Sequence, residues 1–343
     1  MRADAGPWAN ISRLPSITAC CMSFASVKSL VDDDLQEVDR VIRTRLASDV
    51  ALINQIADYI VGGGGKRLRP LVVVVAARAC GNDDRRHSEA AAIIEFIHTA
   101  TLLHDDVVDG STLRRGRDTA NEVWGNEASV LVGDYVYSRS FEMMVALGSM
   151  RVMDVMSGAT NKIAEGEVLQ LLNANDPETT QERYFEVIYR KTAKLFESGA
   201  QIAAILAGAP AAIEGAMARY GRHLGTAFQL IDDVLDYHSD SEQLGKNLGD
   251  DLAEGKPTLP LIYALRMGNE EQRRVIRRSI EHGTSAELAA VTAAIESTGG
   301  LAYTARLARQ EAALAVEALA ELPESAYKQA LRELADFAVE RNY

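Results

Sequence analysis

One pattern occurs twice in this chain and limits what the chain can become. Asp-Asp-x-x-Asp stands at Asp105-Asp106-Val107-Val108-Asp109 and again at Asp232-Asp233-Val234-Leu235-Asp236. On an α-helix the first and last carboxylates of each motif lie one turn apart on a single face. Each follows an apolar run: Ile93, Ile94, Phe96, Ile97, Leu102 and Leu103 before the first, Phe228, Leu230 and Ile231 before the second. Carboxylates grouped at the ends of apolar helices repel one another and lose hydration, so cations must neutralise them. Mg²⁺ suits the task, because it takes hard oxygen ligands, keeps several waters and bridges one or two carboxylates to phosphates. One such cluster is equally an exposed helix end. Two in apolar context, facing each other, would hold a diphosphate between them.

The periodicity elsewhere is helical. Leu35, Val38, Ile42 and Leu46 recur at three- and four-residue steps within a helix expected over 31–57. Further helices are expected over 71–80, 88–109, 127–148, 151–172, 179–207 and 211–238, with more from Leu259 onward, two or three of them in the tail. Val72–Val75 is β-branched, but its neighbours favour a helix. Aromatics make up only 6% of the 343 residues, and alanine and leucine are abundant, a mix that suits helices. No linker or low-complexity stretch divides the chain. The expectation is one all-α domain, a single large helical bundle around a deep central cavity. Ordered patterning begins just after Met22, so residues 1–21 read as a disordered extension and 22–343 as the domain, with Met22 an alternative start.

A formal net charge of −13 argues against a partner that is nucleic acid. It leaves room for small anions where metal ions and a few bases invert the local field. Cys20, Cys21 and Cys80 form neither a zinc pattern nor a disulfide framework. No apolar run approaches the ~20 residues of an integral membrane segment. The N-terminus lacks the layout of a secretory signal. A cytoplasmic location is the expectation.

Cations gather where a diphosphate would need them. Gly62-Gly63-Gly64-Gly65-Lys66-Arg67-Leu68-Arg69-Pro70 sets three cations beside four glycines, where backbone amides also approach phosphate. It is not a Walker motif, since Lys66 is followed by Arg67. Arg114 and Arg115 follow the first aspartate motif, and Lys191, Lys194, Lys246 and Lys256 are further candidates. His98 lies two turns before Asp105 on the same face. A lone histidine on an apolar helix is more often a satisfied core residue than a ligand.

These residues carry a resemblance. The blocks GGGGKRLRP at 62–70, EFIHTATLLHDDVVD at 95–109, RRG at 114–116 and NEASVLVGDY at 126–135 are similar to those of the trans-isoprenyl (polyprenyl) diphosphate synthase family. So are EGEVLQL at 165–171, YRKTAKLF at 189–196, GTAFQLIDDVLDY at 225–237 and GKNLGDDLAEGKPTLPL at 245–261. The similarity runs from about residue 24 to 343 and is greatest to the bacterial long-chain branch, the octaprenyl diphosphate synthases that supply the quinone side chain. It implies an isoprenoid-synthase-type bundle of roughly ten core helices, working as a homodimer. It implies a Mg²⁺-dependent prenyltransferase that adds isopentenyl diphosphate to an allylic diphosphate such as farnesyl diphosphate. By that likeness Lys66, Arg69, His98 and Arg115 hold isopentenyl diphosphate, and Arg114, Lys191 and Lys246 the allylic diphosphate. Asp105 and Asp109 ligate two Mg²⁺ ions and Asp232 a third, with Asp106, Asp233 and Asp236 in support. Thr192 and Gln229 place oxygen dipoles near the allylic cation. The loop Gly245–Pro257, with Lys246 and Lys256, closes over the site.

Product length is expected to follow from residue size. Short-chain relatives carry a bulky aromatic four or five residues before the first aspartate; here those positions are Thr101 and Ala100, with Ile97 one turn further back. A helix of about 20 residues spans ~30 Å, enough to line a long tail. Phe141, Met143 and Met144 are floor candidates and equally ordinary core residues. The expected product is longer than C20, with C40 the best match. A C15–C20 synthase and a class I terpene cyclase are the rival enzymes, and a non-catalytic subunit or a helical scaffold the rival non-enzymes. The second Asp-Asp-x-x-Asp and the Lys66/Arg69 block speak against the cyclase, the two intact aspartate motifs against a non-catalytic subunit, and absence of Mg²⁺-dependent diphosphate binding and turnover would favour the scaffold.

Overall fold

The computed structural model describes residues 23–63, 65–237 and 249–340. Helices α1 (Phe24–Leu30), α2 (Asp32–Leu46), α3 (Ala51–Val61) and α4 (Leu68–Ala79) lead to the central α5 (Arg86–Val108). A two-stranded antiparallel hairpin, β1 (Leu113–Arg114) and β2 (Arg117–Asp118), then carries the chain to α6 (Ala120–Trp124), α7 (Asn126–Ala146) and α8 (Met150–Asn173). Next come α9 (Gln181–Ile188), a π-helical turn (Tyr189–Ala193), α10 (Lys194–Leu206) and α11 (Ala211–Leu235). The remainder is α12 (Asp250–Ala253), α13 (Leu259–Met267), α14 (Glu270–His282), α15 (Leu288–Thr298), α16 (Gly300–Ala318) and α17 (Ala326–Val339). The chain is all-α, as its periodicity requires. The expected extension 1–21 lies outside the described residues.

Helices α4 and α5 are apolar nearly all round, as helices at the centre of a large bundle must be. Leu71 to Ala77 are all buried, as are Ile93, Ile94, Phe96, Ile97, Ala100 and Leu103. Helix α5 packs against α2, α4, α7 and α10, while α11 packs against α10, α16 and the π turn. Glycine sets the second contact. A Cβ on Gly225 would stand 2.6 Å from Ala193 Cα, and one on Gly221 2.3 Å from the Phe196 carbonyl oxygen. Their absence lets α11 lie directly on the π turn, beside which the second aspartate motif emerges. A second apolar cluster joins α9 and the end of α11 to α12–α16.

The helix expected over 31–57 is two helices. At the break, Asn54 accepts from the Ser48 amide at 3.0 Å and donates to the Ser48 carbonyl at 2.7 Å, while Ser48 Oγ accepts from the Val50 amide. Short polar side chains here offer the backbone partners that a continuous helix would have to supply. The polar loop after Asp109 contains the β1–β2 hairpin, and five helices rather than a shorter tail follow Leu259. Among the described residues no helix is long and apolar enough to cross a membrane. Cys80 is a free, partly buried thiol, pushed up to about 11 by burial.

Candidate active site

A cavity of about 430 Å³ opens between α5, α8, the π turn and α11. His98, Thr101, Leu102, Asp105 and Asp109 line it, the spacing of one helical face. From the opposite side come Phe228, Gln229, Asp232, Asp233 and Asp236, and from the π turn Lys191 and Thr192. The two aspartate motifs therefore face one cavity. A π-helical turn inside a longer helix is a common feature of functional sites.

Within the first motif the carboxylates divide their work. Asp105 lies 3.3 Å from Lys191 Nζ, which also reaches Glu167 at 2.6 Å. Asp109 accepts from Lys256 Nζ at 2.9 Å, and Lys256 pairs with Glu254 as well. Asp106 is buried and turned aside, taking Arg114 Nε at 2.8 Å and Nη2 at 2.5 Å on one oxygen. It holds Arg114 rather than facing the cavity. In the second motif Asp233 is likewise buried, with Tyr184 Oη at 2.5 Å on one oxygen and Gln229 Nε2 at 2.8 Å on the other. Gln229 Oε1 in turn accepts from the Thr192 hydroxyl at 2.8 Å.

Burial opposes this much negative charge. It raises Asp105, with Asp109 adding to the effect and Lys191 resisting it. It pushes Glu167 up to about 7 and Glu254 up to about 6, against the pull of Lys191 and Lys256 respectively. It pushes Asp233 up to about 8, with Asp251 adding repulsion. For Lys191 and Lys256 burial acts downward, but the surrounding carboxylates outweigh it and raise both. The two lysines stand where further cations would relieve the same repulsion. Among the described residues no three His, Cys, Asp or Glu side chains converge tightly enough to hold a metal by themselves.

Arg69, Arg114 and Arg115 give the cavity a cationic wall. Arg69 Nη1 stands 3.0 Å from His98 Nε2, so Nε2 accepts and His98 is the neutral Nδ1–H form. Burial holds His98 well below its usual range, and Arg69, Arg114 and Arg115 push it further down. Arg69 also lies over the Phe196 ring, 4.7 Å from its centroid. Arg115 adopts a left-handed backbone (φ 56°) at the tip of the hairpin. Its guanidinium lies against Gly65 (φ +130°), where an added Cβ would come within 2.1 Å of Nη1. Within the glycine run, Gly65 makes room for Arg115.

Some expected residues stand elsewhere. Lys66 does not line the cavity; its ammonium lies 5.0 Å from the Phe337 ring centroid, on α17. Ala100 and Ile97 are fully buried and do not line it either, whereas Thr101 does. Successive helical residues point about 100° apart, so Ile97 and Ala100 turn away from the cavity face, while His104 crowds Gly133 of α7. Phe141, Met143 and Met144 pack in the core, away from the cavity. Lys246 lies outside the described residues. Glu167, Tyr184, Asp251 and Glu254 also stand in the cavity wall, and nothing in the sequence singles them out. The blocks at 165–171 and 245–261 held three of them, but an isolated carboxylate in a helix carries no local signal of which way it points.

Residues 50–297 match the family described as Polyprenyl synthetase. The chain belongs to that family. Octaprenyl diphosphate synthase from Escherichia coli (strain K12) is 54% identical over 322 residues, covering 94% of this chain and 100% of the relative. The all-trans-nonaprenyl-diphosphate synthase (geranyl-diphosphate specific) of Rhodobacter capsulatus is 48% identical over 91% of this chain and 96% of its own. Among solved structures, a polyprenyl synthase from Caulobacter crescentus CB15, complexed with calcium and isoprenyl diphosphate, superimposes with a TM-score of 0.91. It is 45% identical and covers 94% of this chain and 99% of its own. A polyprenyl synthetase is a prenyltransferase that works with a divalent metal, so the cyclase and scaffold readings fall away.

Proposed function

We propose that this protein is an octaprenyl diphosphate synthase, extending an allylic diphosphate such as farnesyl diphosphate with isopentenyl diphosphate to an all-trans C40 product for a quinone side chain. The observation that supports it most is two aspartate motifs facing one cavity beside a separate Arg69–His98–Arg115 wall, a layout with room for two diphosphates. Identity of 54% to the Escherichia coli octaprenyl diphosphate synthase supports the chain length.

Asp105 and Asp109 would hold two Mg²⁺ ions and Asp232 a third. Bound there, the ions neutralise the leaving diphosphate and so ease rupture of the allylic C–O bond. Lys191, Arg114 and Lys246 hold the same diphosphate, Arg114 oriented by Asp106. On the other side Arg69, Arg115 and neutral His98 seat isopentenyl diphosphate, with Lys66 swinging in from Phe337. Thr192 and Gln229 set oxygen atoms beside the allylic carbon as positive charge develops. The isopentenyl double bond attacks that carbon, and the departing diphosphate takes the proton lost afterwards. Lys256, on Asp109, ties the segment after α12 over the cavity and helps exclude the water that would quench the cation. Exposed apolar side chains gather on α7 and α8, among them Leu131, Val145, Met150, Leu171 and Leu172, which supports a homodimer through these helices. Its site of action is cytoplasmic.

The test is product analysis by mass spectrometry. Farnesyl diphosphate, excess isopentenyl diphosphate and Mg²⁺ should give a ladder ending near C40, abolished by EDTA. A stop at C15–C20 would overturn the product assignment, and no elongation at all the reaction itself.

A further inference from the structure

We infer that Tyr184 and Asp233 are positioning residues that act through Gln229, fixing which atom of its amide, and hence which side of the Thr192 hydroxyl, faces the allylic carbon. The inference rests on the prenyl-transfer reading of this cavity and assigns Asp233 a task other than metal support. It is carried by the direction of three consecutive hydrogen bonds. Asp233 takes Tyr184 on one oxygen at 2.5 Å and Gln229 Nε2 on the other at 2.8 Å. A carboxylate only accepts, so the end of the Gln229 amide turned towards it must be the NH₂. The amide oxygen is thereby turned to Thr192, whose hydroxyl proton it takes at 2.8 Å. With its proton so engaged, the Thr192 oxygen keeps lone pairs for the cavity. A lone pair attracts a developing allylic cation, and a hydroxyl proton in the same place would repel it.

The orientation survives protonation of Asp233 on one of its two oxygens, the one facing Tyr184. A proton on the oxygen facing Tyr184 leaves the other oxygen still an acceptor for Gln229. Asn at 233 is different, because its own NH₂ satisfies the Gln229 oxygen as readily as its oxygen satisfies the Gln229 NH₂. The amide is then free to turn, and Thr192 to present its proton to the cavity. Tyr184 and Asp233 are buried at the cavity wall, so neither needs to touch substrate to exert this effect.

The test uses the full-length chain and the variants D233N, Y184F, Q229A and D233N/Q229A. With farnesyl diphosphate and isopentenyl diphosphate, D233N should lose at least tenfold in kcat. The KM of each diphosphate and the Mg²⁺ concentration for half activity should move by less than about twofold, and Y184F should show a smaller loss of the same kind. Adding D233N to Q229A should cost little more, since both changes remove one device. A full additional loss in the double variant, or a raised Mg²⁺ requirement, would mean that Asp233 serves the metals or the fold and would overturn the inference. A second readout needs no turnover. An allylic diphosphate analogue with an ammonium nitrogen at the cationic carbon should bind wild type at least fivefold tighter than its neutral sulfur-linked counterpart, and D233N should lose that preference. Should wild type bind both analogues without elongating farnesyl diphosphate, the proposed function fails while the preference still decides the relay. Retention of the preference in D233N would refute it.

Discussion

At the residue scale, two positions are set by their neighbours tightly enough to forecast a variant. Gly65 has φ +130° and no space for a Cβ, which would lie 2.1 Å from Arg115 Nη1. G65A must both strain the backbone and expel the guanidinium. Its expected effect is a rise of tenfold or more in the KM for isopentenyl diphosphate, about 1.4 kcal/mol, with the allylic KM little changed; an equal rise in both would point to collapse of the loop rather than loss of Arg115. His98 is held neutral by burial and by three arginines. A histidine depressed in the folded state binds its proton more readily when unfolded, so it drains stability as pH falls below its unfolded value of about 6.5. The loss is at most about 1.4 kcal/mol per pH unit and ends at the folded value. H98Q keeps an acceptor for Arg69 without the titration. Denaturant unfolding should therefore show a flatter acid limb between pH 6.5 and 5 in H98Q than in wild type, and parallel limbs would refute the account.

At the scale of the element, α5 presents two faces with different duties. Its 98–101–105–109 face lines the cavity, while Ile97 and Ala100 are buried off that face and His104 lies against Gly133 of α7. A growing tail must leave a cavity of about 430 Å³, a volume suited to head groups and first isoprene units, and Ala100 is a small buried residue one turn back from the cavity on α5. Replacing Ala100 with Phe should block the tail's way along α5 and shorten the product to C20 or below, with initial turnover of farnesyl diphosphate retained. Unchanged product length in a folded, active A100F would send the tail elsewhere. This is also where the sequence stopped being informative. Periodicity fixes that α5 is a helix buried all round, and the acid repeats fix which of its ends faces α11. It does not say that Ala100 sits beyond the present cavity, because the stripe of His98, Thr101, Asp105 and Asp109 marks only the cavity face and the rest of the helix is uniformly apolar. The split at Ser48 was invisible for a related reason: Leu35 to Ala57 keep an apolar spacing across it, and the break depends on where one asparagine side chain folds back. The aspartates, Arg69, His98, Arg114, Lys191, Thr192 and Gln229 were legible because their spacing or their family blocks mark them. Glu167 was not, since its meaning comes from Lys191, 24 residues away.

At the scale of the whole molecule, a chain of net charge −13 concentrates carboxylates in one half-closed cavity. Without metal, burial raises Asp105, Glu167 and Glu254 above their unfolded values, Glu167 to about 7 and Glu254 to about 6. A raised carboxyl favours the fold while it is protonated and loses that contribution as pH rises through its folded value. These groups should thus make the metal-free protein less stable at pH 8 than at pH 6. Mg²⁺ with inorganic diphosphate favours the ionised forms, so binding must expel protons and must stabilise most where the ionised site is least tolerable. The melting temperature should rise more on adding both ligands at pH 8 than at pH 6. Calorimetric titration at pH 7, repeated in buffers of different ionisation enthalpy, should show proton release, and E167Q should release about half a proton less than wild type, because a group titrating near 7 is half-protonated there. Equal release from wild type and E167Q would mean that Glu167 is already ionised, and that Lys191 alone balances it before any metal arrives.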